Sequence, residues 1–143
     1  MQYWLMKTEP DAFSFQDLQR DGVATWDGVR SYAARNHLRA MAVGDLALIY
    51  HSNVGKEAVG IARIVEAAFQ DPSTPDERWS AVRIAPVAAL RTAVTLQAIR
   101  DEQAKGGVLA EIKLIRENRL SVLPLRRDEW LRLLDMAQTP APG

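Results

Sequence analysis

Trp26-Asp27-Gly28-Val29-Arg30-Ser31-Tyr32-Ala33-Ala34-Arg35-Asn36 packs an indole, a glycine, two guanidiniums and an amide into eleven residues. Its second half reads as a helix. Ser31 is placed to cap a segment running to Met41, and Ala34, Leu38 and Met41 fall at helical spacing on one inward face. Arg35, Asn36 and Arg39 lie off that stripe. The first half is not typical core material. Arg, Asn and Trp stack on, fork onto and edge-read planar polar ligands such as nucleobases.

Working outward, the neighbouring segments supply a sheet. Tyr3 to Lys7 alternates as a short strand, with Tyr3, Leu5 and Lys7 on one side and Trp4 and Met6 on the other. Ser14 with Asp17 three residues on reads as a helix start, and Asp21-Gly22 as its end. Gly44-Asp45 turns into a strand over 46–52, where Leu46, Leu48 and Tyr50 oppose Ile49 and His51. Ala58 to Phe69 and Trp79 to Val87 read as further strands, with Pro86 near the end or at an edge of the second. Thr95 caps a helix broken at Gly106-Gly107, and Leu109, Ile112 and Ile115 begin the next amphipathic piece. Arg119 to Leu123 reads as a strand stopped by Pro124, with Arg119 and Ser121 on one face. A last helix carries Trp130, Leu133, Leu134 and Ala137 on one stripe. Short strands interrupted by helices predict an α+β fold, a small, partly closed barrel decorated by helices.

Composition bounds the function classes. The chain of 143 residues carries 18 basic and 18 acidic side chains, for no net charge. That balance argues against a non-specific nucleic-acid coat, while leaving a local basic site open. Without cysteine there is no disulfide, no thiolate nucleophile and no Cys-based zinc site. The two histidines, His37 and His51, lack a metal-ligating pattern, so no metal and no cofactor is expected. The start of the chain lacks the basic and apolar regions of a signal peptide, and no stretch is long enough to span a bilayer. A cytoplasmic location with no membrane partner is therefore the expectation.

At this point the residues resemble the EVE domain family. The matching segments are Tyr3-Trp4-Leu5-Met6-Lys7 with Glu9-Pro10, Trp26-Asp27-Gly28-Val29-Arg30 and Ala34-Arg35-Asn36. They continue through Met41 with Gly44-Asp45, Tyr50-His51-Ser52, and Arg119-Leu120-Ser121-Val122 with Pro124. The resemblance implies a PUA-like fold, a small mixed β-barrel with peripheral helices, as a single domain over residues 1–137 with a disordered tail at 138–143. It implies relatedness to YTH domains and a non-catalytic reader of a modified nucleobase, in DNA before RNA, with a base flipped into an aromatic and polar pocket. Many family members carry Asn where this chain has Ser31. Either residue caps a helix, but a hydroxyl does not reproduce the donor–acceptor pair of an amide.

Each candidate site residue has a plain alternative beside it. Trp26 is a stacking wall or a core indole, and Gly28 and Arg30 beside it favour the wall. Trp79 is a second wall or core. Trp4 and Trp130 sit in apolar patterns and are assigned to the core. Arg30 and Arg119 read a base edge or hold a phosphate, unless they only form surface ion pairs. Asn36 reads an edge or satisfies a helix end. Ser31, Ser52 and Ser121 supply hydroxyls, Gly28 permits close approach, and Val29 lines the pocket or plugs a barrel end. Lys7 and Arg35 hold phosphates. His51 and Ser52 tempt a nucleophile reading, but adjacent strand residues point to opposite faces. Two alternatives to a nucleic-acid reader remain: a small-molecule or nucleotide-sensing module, and an enzyme on a nucleotide with His51 as its acid or base. Oligomeric state is open, with a monomer the simpler expectation.

Overall fold

The computed structural model describes residues 1–142, so the last residue of the expected tail, Gly143, lies outside the described residues. In chain order the elements are β1 (Tyr3–Thr8), α1 (Phe15–Asp21), β2 (Ala24–Trp26), α2 (Tyr32–Ala40), β3 (Leu46–His51) and β4 (Glu57–Gln70). They continue with β5 (Ser80–Thr95), α3 (Leu96–Ala104), α4 (Lys113–Arg116), β6 (Val122–Leu125) and α5 (Arg127–Met136). The strands form one mixed sheet in the order β2-β5-β4-β3-β1-β6. Only β1 and β3 run parallel, with Tyr3 opposite Leu46 and Thr8 opposite His51.

The fold is an α+β single domain whose barrel character is approximate. Among the described residues no ladder joins β2 to β6, so the sheet curls without closing. The curl has a local cause. The long β4–β5 hairpin shifts register at four places between Ala58 and Phe69. Each such irregularity bends a strand and increases its twist.

Both faces of the sheet are covered, as alternation in β1 and β3 requires. Trp4, Met6, Ala47 and Ile49 point to one core with Phe15 and Leu18 of α1 and Ala34 and Leu38 of α2. Leu5, Leu46, Leu48 and Tyr50 point to the other, beneath Ile99 of α3 and Trp130, Leu133 and Leu134 of α5. The indole of Trp130 stacks on Tyr3 at 4.9 Å. No helix among the described residues is long and apolar enough to cross a membrane.

Buried Asp45 ties the start of the sheet together. Its carboxylate accepts hydrogen bonds from the Trp4 indole N–H at 3.0 Å and from the backbone N–H groups of Gln2 and Ala42 at 3.1 and 3.0 Å. The helix starts follow their predicted chemistry. Ser14 and Asp17 form a reciprocal capping box, Ser31 Oγ accepts from Ala34 N–H, and Thr95 Oγ1 accepts from Ala98 N–H.

Three sequence readings need correction. β5 does not end near Pro86 but runs on to Thr95. Its outer neighbour β2 covers only Val82 to Ile84, so Pro86 lies where that flank of β5 is open and a missing N–H costs no ladder bond. β6 spans Val122–Leu125 rather than Arg119–Leu123. It is an edge strand, with Pro124 opposite Trp4, a position that tolerates proline. Arg119 and Ser121 therefore share no strand face, and Arg119 sits exposed in the turn after α4. β2 carries no pattern of its own and exists through its pairing with β5. At the other end of the chain, Thr139 Oγ1 accepts from Arg91 N–H at 2.9 Å, and Thr139 N–H donates to Leu134 O at 3.0 Å.

Gly60 is fixed by packing. A Cβ built there would lie 2.3 Å from the Phe15 ring, whose residue is only 2% exposed. Gly60→Ala should destabilise the fold by about 1–3 kcal/mol, the usual cost of overpacking. Urea unfolding should show a lower midpoint at unchanged slope.

Candidate functional site

The main concavity, about 560 Å³, opens between the end of β1, the segment leading to α1, and the loop from β2 to α2. This size lies within the roughly 300–1,000 Å³ usual for ligand sites. Its apolar wall is Phe13, Trp26 and Val29, with Ala12 at the rim. Trp26 is only 8% exposed and packs edge-on against Phe13 at 6.4 Å. Its indole is therefore both core and cavity wall. Polar groups ring this wall: Lys7, Thr8, Glu9, Thr25, Asp27, Arg30, Ser31 and Ser121.

The loop that carries Gly28 to Ser31 is held by Asp71. That side chain has no solvent exposure. Its Oδ2 accepts from Gly28 N–H at 2.9 Å and from the Arg30 guanidinium at 2.9 Å. Its Oδ1 accepts from Ser73 N–H at 2.7 Å and Ser73 Oγ–H at 2.6 Å. Burial pushes the Asp71 carboxyl up, but the donors from Ser73, Arg30 and Gly28 outweigh it and hold the pKa at about 2. Gly28 takes φ 76°, a left-handed conformation that suits glycine and aims its N–H at that carboxylate. Arg30 is thereby oriented, donates also to Ser73 Oγ, and lies over the Trp79 ring at 5.6 Å.

The predicted residues divide. The structure brings Trp26, Gly28, Val29, Arg30 and Ser31 together with Lys7 and Ser121 around the one cavity. Lys7 N–H donates to Ser121 O at 2.8 Å, which draws these two from opposite ends of the chain. The Lys7 ammonium donates to Asn118 O at 2.9 Å, and burial pulls its pKa down. Ser31 lines the cavity while its Oγ accepts from Ala34 N–H at 3.3 Å, so one residue both caps α2 and borders the cavity.

The others lie elsewhere. Trp79 is not part of the cavity wall; it stacks on Tyr32 at 5.2 Å and reaches the cavity only through Arg30. Arg35 lies over Tyr32 at 4.9 Å, donates to Arg78 O and holds Asn36 Oδ1. Asn36 is on the exposed side of α2, and Arg119 is exposed in the turn after α4; neither lines the cavity. Ser52 belongs to a second, smaller concavity. His51 is buried, and its Nε2 accepts from Phe15 N–H at 3.1 Å, so it fastens α1 to β3. Sequence reasoning missed Phe13, Glu9, Asp27 and Asp71. Glu9 and Asp27 stood inside quoted stretches, and Asp71-Pro72-Ser73 has the spacing of an Asx turn. No group of three or more candidate metal ligands occurs among the described residues.

A model of the EVE domain family matches residues 2–136. The chain belongs to the EVE domain family. Mouse thymocyte nuclear protein 1 is 36% identical over 96% of this chain and 74% of that protein. Among solved structures, this EVE domain is similar to a protein from Agrobacterium tumefaciens, with a TM-score of 0.93 and 33% identity over 99% of this chain and 97% of that one. It is also similar to the human THYN1 protein in complex with 5-methylcytosine-containing DNA, with a TM-score of 0.90 and 31% identity over 99% and 100% of the two chains.

Two titrations follow for this EVE domain. Native Asp71 stays ionised to about pH 2, whereas the unfolded carboxyl takes up its proton near 3.8. Its contribution is complete above 3.8 and is lost as pH falls toward 2. Asp71→Asn should flatten that acid limb of a stability–pH curve and lower stability at neutral pH. His51 is held below its ordinary 6.5 by burial. A proton on Nε2 would also remove the acceptor for Phe15. Stability should therefore fall as pH drops below 6.5, and an NMR titration should place the His51 ring below that value.

Proposed function

We propose that this chain is a non-catalytic reader of a modified cytosine in DNA. The observation that carries the reading is the make-up of the cavity. An indole and a phenyl ring are bordered by two carboxylates, an ammonium, a guanidinium and four hydroxyls. Cytosine presents an N4 amino donor, which Asp or Glu side chains accept, and Asp27 and Glu9 supply such acceptors. Lys7 supplies a donor for its ring acceptors. Phe13, Val29 and Ala12 offer apolar surface to a 5-methyl group. The human relative solved with 5-methylcytosine-containing DNA supports the same substrate.

A base inside a duplex reaches such a cavity only by leaving the stack, at a cost of a few kcal/mol. Contact with Trp26 offsets it, since base–aromatic stacking contributes about 1–3 kcal/mol. A non-catalytic role is supported by the bonding of His51. Its Nε2 is engaged by a backbone N–H and it lines neither concavity, so the one histidine considered as an acid or base is not near the ligand site.

The test is a binding panel at fixed salt, using DNA and RNA strands that carry cytosine or 5-methylcytosine. Preferential binding to the methylated DNA is expected. Trp26→Ala should weaken it roughly 10- to 100-fold, the equivalent of the lost stacking. Asp27→Ala, at an exposed position, should leave the fold intact and reduce the preference for cytosine-type bases. Equal affinity for methylated and plain strands would sink the proposal.

A further inference from the structure

Beside the main cavity lies a second one of about 190 Å³, bounded by Lys7, Tyr50, the 52–56 loop, the first turns of α3 and the turn at Asn118. Three cations, Lys7, Lys56 and Arg100, line it, and no carboxylate does. The Lys56 and Arg100 side chains make no ion pair or hydrogen bond among the described residues, although most arginines of this chain are paired or bonded. Lys56 O accepts from Leu96 N–H at 2.9 Å, which fastens the loop to the start of α3 and brings Arg100, one turn on, to the same opening.

Tyr50 adds an independent observation. It is 3% exposed and lines this cavity, yet its hydroxyl has no hydrogen-bond partner among the described residues. Because no fully enclosed side-chain polar atom among the described residues is left without a partner, that hydroxyl opens onto accessible space. Like any tyrosine hydroxyl it is neutral near pH 7 and can donate, and burial pushes its pKa further up. Three cations, a hydroxyl open to the cavity and the side chains of Asn53, which also donates to Glu9 Oε1 at 2.8 Å, and Asn118 fit an oxyanion rich in acceptors.

We propose that this smaller cavity is a phosphate subsite. Lys7 belongs to both cavities, which favours a backbone phosphodiester of the strand whose base enters the larger one. That version rests on the base-reading proposal; a phosphorylated small molecule would use the same groups.

Backbone amide spectra during titration with inorganic pyrophosphate test the chemistry directly. Saturable shifts at Ser52, Asn53 and Arg100 are expected in the unmodified chain. They should weaken roughly five- to tenfold in Arg100→Gln and Lys56→Gln, both changes at exposed positions. Shifts that never saturate, or are equal in the variants, would overturn the subsite. A second arm measures 5-methylcytosine oligonucleotide affinity across salt concentrations. If the phosphate belongs to the strand, Arg100→Gln should reduce the salt slope by about one and leave binding of free 5-methylcytidine unchanged. Pyrophosphate saturation with unaltered oligonucleotide binding would assign the subsite to a phosphorylated small molecule. Saturation without any preference for the methylated base would leave the subsite standing and remove the base reading alone.

Discussion

The buried carboxylate of Asp71 is the constraint on which the ligand-facing side of this molecule depends. It lies just beyond β4, outside the loop it organises, and gathers a backbone N–H, a guanidinium and both donors of Ser73. A buried charge without partners is costly, so the carboxylate and its donors stand or fall together. The consequence is a rigid edge to the cavity. Gly28 and Arg30 are set by one acceptor, Val29 is carried inward between them, and Ser31 begins α2 at once.

That edge works because the sheet behind it is covered on both faces. The α1 and α2 side holds Trp4, Met6 and Trp26 in one core, and the α3 to α5 side holds the other. The cavity sits at the limit of the first core, which is why Trp26 serves as packing and as surface at once. Lys7 marks the end of β1, where alternation runs out of core and the chain meets both concavities.

Much of the fold was legible because it rests on local chemistry. Alternation in β1 and β3 assigned their faces, and the Ser14, Ser31 and Thr95 caps marked three helix starts. What was not legible depends on partners distant in the chain. β2 is three residues long and has no periodicity to read. Pro124 looked like a strand end and Pro86 like an end or an edge, since tolerance of proline depends on which flank of the strand is open. The site shows the same division. Trp26, Gly28 and Arg30 share one turn, and their crowding was visible. Asp71 was hidden because its role appears only when the segment after β4 folds against residues 28 to 30. Asn36 and Arg119 looked suitable by residue type, but one is exposed on α2, the other in the turn after α4, and neither lines the cavity. His51 was suspected of chemistry, yet its ring nitrogen serves as an acceptor between two elements.

The position of β1 has a bearing on how the chain is born. This strand lies between β3 and β6, with Met6 opposite both Ile49 and Val122. On a ribosome that emits the N-terminus first, one side of β1 stays unpaired until residues 122–125 have emerged. Contacts so far apart in sequence form late, because a long loop must close before they are rewarded. Ser121, which meets Lys7 at that junction, is among the last parts of the wall to arrive. A nascent chain that stops short of Ser121 thus carries the aromatic half of the cavity and still lacks part of its wall.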